Sequence, residues 1–284
     1  MGISLDDIVF NKKPTSKKAT IIRSLLTIGI VLIVIIVSIV VALSRLGGAL
    51  NSEEWNKTKS LLEKEFNKSD VVTFEIGALD ENNLKTKLEA SFVSFGELYK
   101  NNKINPNALF GSARLSSSVS FDKKDLTILA NAYINYETGL DDFEELLSYL
   151  TIVNMEAKTQ GKITSLRVCI KVLSDILTNT DYDFGIVSTK DFPSEVYVTC
   201  FMTFDNTKPL KNCIISSSIV VNNLSQDDNL EVLEFFSKIY DPDINVDEVQ
   251  RIPAAYILDC LSEIFSIWSV GGTFTGDNLE LYVK

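Results

Sequence analysis

An uninterrupted apolar stretch near the N-terminus constrains this chain more than any other feature. Residues 24–44 contain no charged side chain, and Arg23 and Arg45 stand at the two ends of the stretch. About 20 apolar residues, rising about 1.5 Å each in a helix, span the roughly 30 Å hydrocarbon core of a bilayer. A buried helix of a soluble domain would keep a polar face, which this stretch lacks. The sequence therefore predicts a transmembrane helix over residues 24–46.

The charges on either side of the stretch predict its orientation. Basic residues are concentrated before it, at Lys12, Lys13, Lys17, Lys18 and Arg23, whereas Arg45 alone follows it closely. The excess of positive charge places the N-terminus in the cytoplasm. The alternative is a cleaved signal peptide, whose apolar run is about 7–15 residues long and precedes a small-residue cleavage site. The longer run favours an uncleaved anchor. We therefore expect a type II single-pass protein of the cell membrane with its C-terminal domain extracellular.

Charge and composition exclude several classes of function. The formal net charge of −11 argues against nucleic-acid binding, which needs a basic face. The chain contains no histidine, so Ser-His-Asp triads, Cys-His nucleophiles and histidine-containing metal sites are excluded. A Ser-x-x-Lys pattern at Ser120 lacks its partner motifs, and the acidic residues 241–247 lack the glycine of a calcium loop. We therefore expect no enzymatic activity, no catalytic residue, no cofactor and no metal.

The remaining sequence predicts an α+β fold. Alternating apolar residues predict long strands at 149–158, 163–173, 195–204 and 213–222. Asp80 is placed to cap a helix, and Asp122 with Asp125 three residues later is a capping arrangement before another. The most apolar helix is predicted over residues 246–269. Hairpins outnumber βαβ patterns, which favours one domain with an antiparallel sheet packed on helices, including that long apolar C-terminal helix. The predicted organisation is a cytoplasmic basic tail (1–23), a transmembrane helix (24–46), a juxtamembrane helix-strand-helix region (47–111) and an extracytoplasmic α+β domain (112–284).

Several shorter elements are also predicted. These are a helix at 52–66, a strand at 71–76, a loop at 101–111, a strand at 115–121, a helix that begins near residue 141, and a strand at 279–283. Gly271 and Gly272 are predicted to end the C-terminal helix.

The four cysteines show no Cys-x-x-Cys spacing, which argues against a redox or zinc motif. If residues 195–222 form a symmetric hairpin, Cys200 and Cys213 fall opposite each other and are a possible disulfide. The alternative is four free thiols that are mostly buried and behave as small apolar residues.

One part of the chain resembles a known kind of protein. Three stretches of the sequence carry the likeness. They are the hairpin at 150–173, the segment Phe-Pro-Ser-Glu-Val-Tyr-Val-Thr at 192–199, and the segment Ile-Ser-Ser-Ser-Ile-Val-Val-Asn-Asn-Leu-Ser at 215–225. They are similar to single-pass membrane-anchored extracytoplasmic proteins of Gram-positive bacteria with a tubular lipid-binding, AsmA-like α+β domain. The resemblance covers about residues 112–270 and implies a groove for acyl chains between a curved sheet and a long apolar helix. The possible groove-lining residues on that helix are Tyr256, Ile257, Leu261, Ile264 and Trp268.

Two functions are compatible with these features. The first is a non-catalytic, membrane-anchored protein that binds lipid or another envelope component in such a groove. The alternative is a structural or interaction subunit of a membrane-associated complex, with membrane-protein partners and a fully packed apolar helix.

Overall fold

A computed structural model describes residues 53, 56–58, 60–61, 79–93, 95–100, 103–111, 113–138, 150–173, 195–208, 213–240 and 245–284. No helix within these ranges is both long and apolar enough to cross a membrane. The predicted fold class, which included a transmembrane helix, is therefore wrong for this part of the chain. Its longest helix, Val246–Ile267, carries charged residues such as Arg251 and Glu263 along its length. The predicted span at 24–46 lies outside the described residues, as do the predicted strand at 71–76 and the start of the predicted helix near 141.

The described chain begins with short elements. They are α1 (Glu81–Ser91), β1 (Phe92–Val93), α2 (Phe95–Leu98), β2 (Tyr99–Lys100), β3 (Lys103–Ile104), α3 (Pro106–Gly111), β4 (Arg114–Leu115) and β5 (Val119–Phe121). Helix α1 begins after Asp80, whose carboxylate accepts hydrogen bonds from the backbone N–H groups of Asn82 at 3.0 Å and Asn83 at 3.4 Å. This N-cap confirms the predicted role of Asp80.

Longer elements follow. They are α4 (Lys123–Thr138), β6 (Leu150–Gln160), β7 (Ile163–Leu173), β8 (Glu195–Asp205), β9 (Ile214–Val221), α5 (Gln226–Tyr240), α6 (Val246–Ile267), β10 (Val270–Thr275) and β11 (Asn278–Val283). Strands β6-β7-β8-β9 form a four-stranded sheet in that order, and β10-β11-β5 form a three-stranded sheet. All described pairings are antiparallel. The described chain is therefore α+β with antiparallel sheets, divided over two main sheets where the sequence predicted one.

A capping box begins α4. The backbone N–H of Asp125 donates to the Asp122 carboxylate at 3.1 Å, and the N–H of Asp122 donates to the Asp125 carboxylate at 3.1 Å. The two residues thus satisfy each other's backbone groups, as their spacing predicted. The single strand predicted over residues 115–121 is divided into two, since Leu115 ends β4 and pairs with Phe92 of β1, whereas Phe121 ends β5 and pairs with Leu279 of β11.

Two further predictions are wrong for identifiable reasons. The predicted loop at 101–111 contains α3, which Pro106 begins and in which Leu109 and Phe110 are buried. Gly271 and Gly272 do not end the preceding helix but lie within β10. A Cβ atom on Gly271 would lie 2.2 Å from the Tyr282 ring, so this glycine makes room for an aromatic side chain in the sheet.

Of the two possibilities for the cysteines, the Cys200–Cys213 disulfide is not formed, and the strand register gives the reason. None of the four cysteines is in a disulfide. Cys200 lies opposite Ile219 on β9, whereas the carbonyl of Cys213 accepts a hydrogen bond from the N–H of Asp205 at 2.9 Å. Five residues along a strand span about 16 Å, well beyond the roughly 7 Å limit for the Cα atoms of a disulfide.

Two asparagines attach helices to the outer strands of the four-stranded sheet. The Asn131 side chain on α4 donates to the Ile152 carbonyl at 2.8 Å and accepts from the Ile152 N–H at 2.9 Å. The Asn229 side chain on α5 accepts from the Val221 N–H at 2.9 Å and donates to the Ile219 carbonyl at 2.7 Å. Each helix is therefore held against the sheet by backbone recognition as well as by apolar packing.

One continuous apolar core joins these elements. It includes Leu84 and Leu88 of α1, Phe110 of α3, and Trp268 and Leu281 near the C-terminus. The described residues before position 112 therefore share one core with the described residues after it, and the predicted boundary at 111/112 does not separate two cores.

Candidate functional site: an apolar cavity

The core encloses a cavity of about 140 Å³ between the four-stranded sheet and helices α4 and α6. The described part of its lining is apolar or aromatic apart from one tyrosine hydroxyl and two thiols. The lining residues are Phe110, Phe121, Leu126, Leu129, Ala130, Tyr133, Ile134, Leu150, Ile152, Met155, Val168, Ile170, Cys200, Pro253, Ile257, Cys260, Leu261, Ile264, Phe265, Trp268 and Leu279. No lysine, arginine, aspartate or glutamate is among them.

The structure brings four of the five predicted groove-lining residues together at this cavity. Ile257, Leu261, Ile264 and Trp268 all line it from α6. The side chain of Tyr256, the fifth, lies outside the described part of the structure. The spacing of the four is that of one helix face, because residues three and four apart are neighbours on a helix surface.

The sheet forms the floor of the cavity. Val168 and Ile170 of β7 and Cys200 of β8 line it, and Val168 pairs directly with Cys200. Successive side chains of a strand point to opposite faces, so the sequence neighbours of these lining residues lie on the other face of the sheet. There Arg167 forms an ion pair with Glu156 of β6. The alternation in sequence thus decides which residues contact the cavity.

Aromatic rings close one end of the cavity. The Phe110 and Trp268 rings stack with centroids 5.6 Å apart, and the Phe110 and Tyr133 rings meet edge to face at 5.1 Å. The indole N–H of Trp268 donates to the Leu109 carbonyl at 2.8 Å, which fixes the orientation of the ring. This end is therefore held by both packing and a buried hydrogen bond.

The exposure of the lining residues locates the mouth of the cavity. Most are buried, but a subset is partly exposed: Ala130, Ile134, Ile152, Ile257, Cys260, Ile264 and Phe265. Ala130 and Ile134 lie one turn apart on α4, and Ile257, Cys260 and Ile264 follow one another along α6. The cavity therefore opens between α4 and α6. We call this opening the α4–α6 mouth.

A polar pair joins the two helices beside the mouth. The Tyr133 hydroxyl on α4 donates to the Glu263 carboxylate on α6 at 3.3 Å. Burial raises the pKa of Glu263, the hydrogen bond from Tyr133 lowers it, and the neighbouring Asp259 raises it further, with burial the largest influence. Glu263 is half-buried, so its ionised form is poorly solvated.

The thiol on the cavity floor is not a reactive group. Burial, with a smaller effect of Cys169, raises the pKa of Cys200 to about 12. A thiol must ionise to act as a nucleophile, so Cys200 behaves here as a small apolar side chain. The described residues also contain no group of three or more cysteine, aspartate or glutamate side chains that would hold a metal ion.

Sequence reasoning did not find the α4 side of the cavity or the Tyr133–Glu263 pair. The helical spacing of Leu126, Leu129, Ala130 and Tyr133 predicts a buried face. It gives no signal of where packing against the opposite helix is incomplete. The hydrogen bond between Tyr133 and Glu263 joins residues 130 positions apart, so no local pattern reports it.

Comparisons with protein-family models, with curated proteins and with solved structures return no match. The likeness to membrane-anchored lipid-binding proteins therefore stays a prediction from the sequence.

Proposed function

We propose that this chain binds an apolar molecule, or the apolar part of a lipid, in the cavity between α4 and α6. The observation that carries the proposal is the cavity of about 140 Å³, with its apolar lining and a mouth between two helices. An apolar cavity of about 150 Å³ in another protein stays dry and binds benzene. The volume here accordingly suits one ring or a short length of acyl chain.

The geometry also supports binding over catalysis. Ligand pockets are mostly apolar, with few polar groups that fix orientation. Tyr133 and Glu263 are the polar groups identified beside this cavity, and they bond to each other. That the chain acts without catalysis at the outer face of the cell membrane stays a prediction from the sequence.

The test fills the cavity by mutation and measures binding of a defined probe. Ala130 lies at the mouth and its replacement by leucine (Ala130→Leu) adds bulk there. Ala255→Leu is the matched control, since Ala255 is exposed on α6 and does not line the cavity. We expect 1-hexanol to bind the full-length wild type and Ala255→Leu, and to bind Ala130→Leu at least tenfold more weakly, as followed by titration calorimetry without detergent.

Two results would overturn the proposal. One is the absence of hexanol binding to the wild-type protein. The other is equal affinity of wild type and Ala130→Leu, which would place the bound hexanol elsewhere. Native mass spectrometry of the full-length protein then identifies any lipid that co-purifies.

The alternative function, a structural or interaction subunit, gains no specific support from the described surface. Its large exposed apolar residues are Leu79, Val93, Ile163, Phe201, Ile215, Leu230, Tyr282 and Val283. Leu79 lies before α1, Leu230 is on α5, and the others are on five different strands. Single exposed apolar residues are ordinary on proteins.

A further inference from the structure

The Glu263 carboxylate beside the α4–α6 mouth bears on which polar group can stand at the end of the apolar ligand. Glu263 is on α6, between the lining residue Cys260 and the lining residue Ile264. Its carboxylate reaches across to Tyr133, which itself lines the cavity. A ligand whose apolar part fills the cavity and leaves through the mouth thus passes close to this carboxylate.

A second carboxylate lies on the same helix. Asp259 is one turn before Glu263 on α6 and raises the pKa of Glu263, as one negative charge does to another. No lysine or arginine is among the described residues that line the cavity. A carboxylate ligand would meet repulsion here, whereas an ammonium group would supply hydrogen-bond donors to a poorly solvated acceptor.

We infer that the cavity takes an apolar molecule that ends in a primary amine, with the ammonium group bound at Glu263. This inference rests on the proposed function and adds the chemistry of the polar end. A hydrogen bond to a charged group outweighs one between neutral groups, so an amine binds about tenfold more tightly than the alcohol of equal chain length. The matched carboxylate binds most weakly of the three.

The experiment compares three probes that differ only in their polar end: n-hexylamine, 1-hexanol and hexanoate. Each is titrated calorimetrically into the full-length protein at pH 7 without detergent. Glu263→Gln keeps the size of the side chain and removes its charge. We expect this variant to bind the amine and the alcohol with similar affinity and to bind hexanoate more tightly than the wild type does.

Glu280→Gln is the matched control, because Glu280 is exposed on β11 and does not line the cavity. It removes the same charge and should keep the wild-type order of amine, alcohol and carboxylate. If Glu263→Gln does not fold, Tyr133→Phe replaces it. That variant removes the internal donor to Glu263 and should keep or increase the preference for the amine.

The outcomes separate this inference from the function on which it rests. Equal affinities of the three probes for the wild type would overturn the inference and leave apolar binding intact. An amine preference that survives in Glu263→Gln, or that disappears in Tyr133→Phe, would also overturn it. Failure of all three probes to bind would overturn the proposed function itself.

Discussion

Replacing Ala130 by leucine adds three carbon atoms at the mouth of the cavity, and the sign of the stability change tests whether the space exists. At roughly 24 cal/mol per Å³, an empty volume of 140 Å³ corresponds to about 3 kcal/mol of lost stability, which sets a ceiling on the gain. Burial of three carbon atoms stabilises the folded state by about 2 kcal/mol, and the conformational entropy lost by the leucine side chain destabilises it by about 0.5–1 kcal/mol. We therefore expect Ala130→Leu to raise the free energy of unfolding by about 1 kcal/mol.

The assay is urea unfolding followed by circular dichroism, with the thermal midpoint as a second measure. For a chain of this size, about 1 kcal/mol corresponds to a rise of about 2–4 °C in the midpoint. Ala255→Leu, on the exposed face of α6, should change stability by less than about 0.5 kcal/mol. Leucine forced into a packed site would instead destabilise the protein by about 1–3 kcal/mol. Such a loss in Ala130→Leu, with an unchanged control, would refute the cavity.

Three further predictions follow from the described contacts. Asn229→Ala should lower the free energy of unfolding by about 2–4 kcal/mol, because it leaves a buried N–H and a buried carbonyl of β9 without partners. Urea unfolding measures this loss, and a loss below about 0.5 kcal/mol would contradict the prediction. Burial raises the pKa of Glu263, so the folded state gains stability as pH falls from 7 towards the unfolded-state value near 4.5. Glu263→Gln should therefore be more stable than wild type at pH 7. Urea unfolding should show a smaller difference in the free energy of unfolding between the two proteins at pH 5 than at pH 7. The same difference at both pH values would contradict the prediction. Iodoacetamide should modify the partly exposed Cys260 before Cys200, because burial raises the pKa of the Cys200 thiol to about 12. Peptide mass spectrometry follows the order of modification, and the reverse order would be inconsistent with this structure.

Features set by neighbouring residues could be predicted from the sequence. Asp80 and the pair Asp122 and Asp125 cap their helices as their spacing indicated. The hairpin of β6 and β7 also lies within two residues of its predicted bounds, because a glycine at the turn separates two alternating apolar patterns. In both cases the physical cause lies within a few residues of its effect.

Features set by distant contacts could not be predicted in this way. Gly271 and Gly272 are typical of a helix end, but the rings of Tyr282 and Phe265 occupy the space beside them and make them part of a strand. The register of β8 and β9 places Cys200 opposite Ile219, because β8 continues to Asp205 before the chain turns back, and Cys213 therefore lies level with Asp205. The cavity is the strongest case, since an apolar helix face has the same sequence pattern whether or not the opposite face fills all the space.

The two helix-borne asparagines also determine how this chain can associate with another. A strand at the edge of a sheet normally offers its backbone groups to any extended chain that approaches. At Ile152 on one side and Val221 on the other, those groups are already bonded to the Asn131 and Asn229 side chains. A second molecule would have to detach a helix before it could add a strand at either position. Association at these two positions must therefore use side-chain surfaces, because the backbone N–H groups there have no capacity left for another strand.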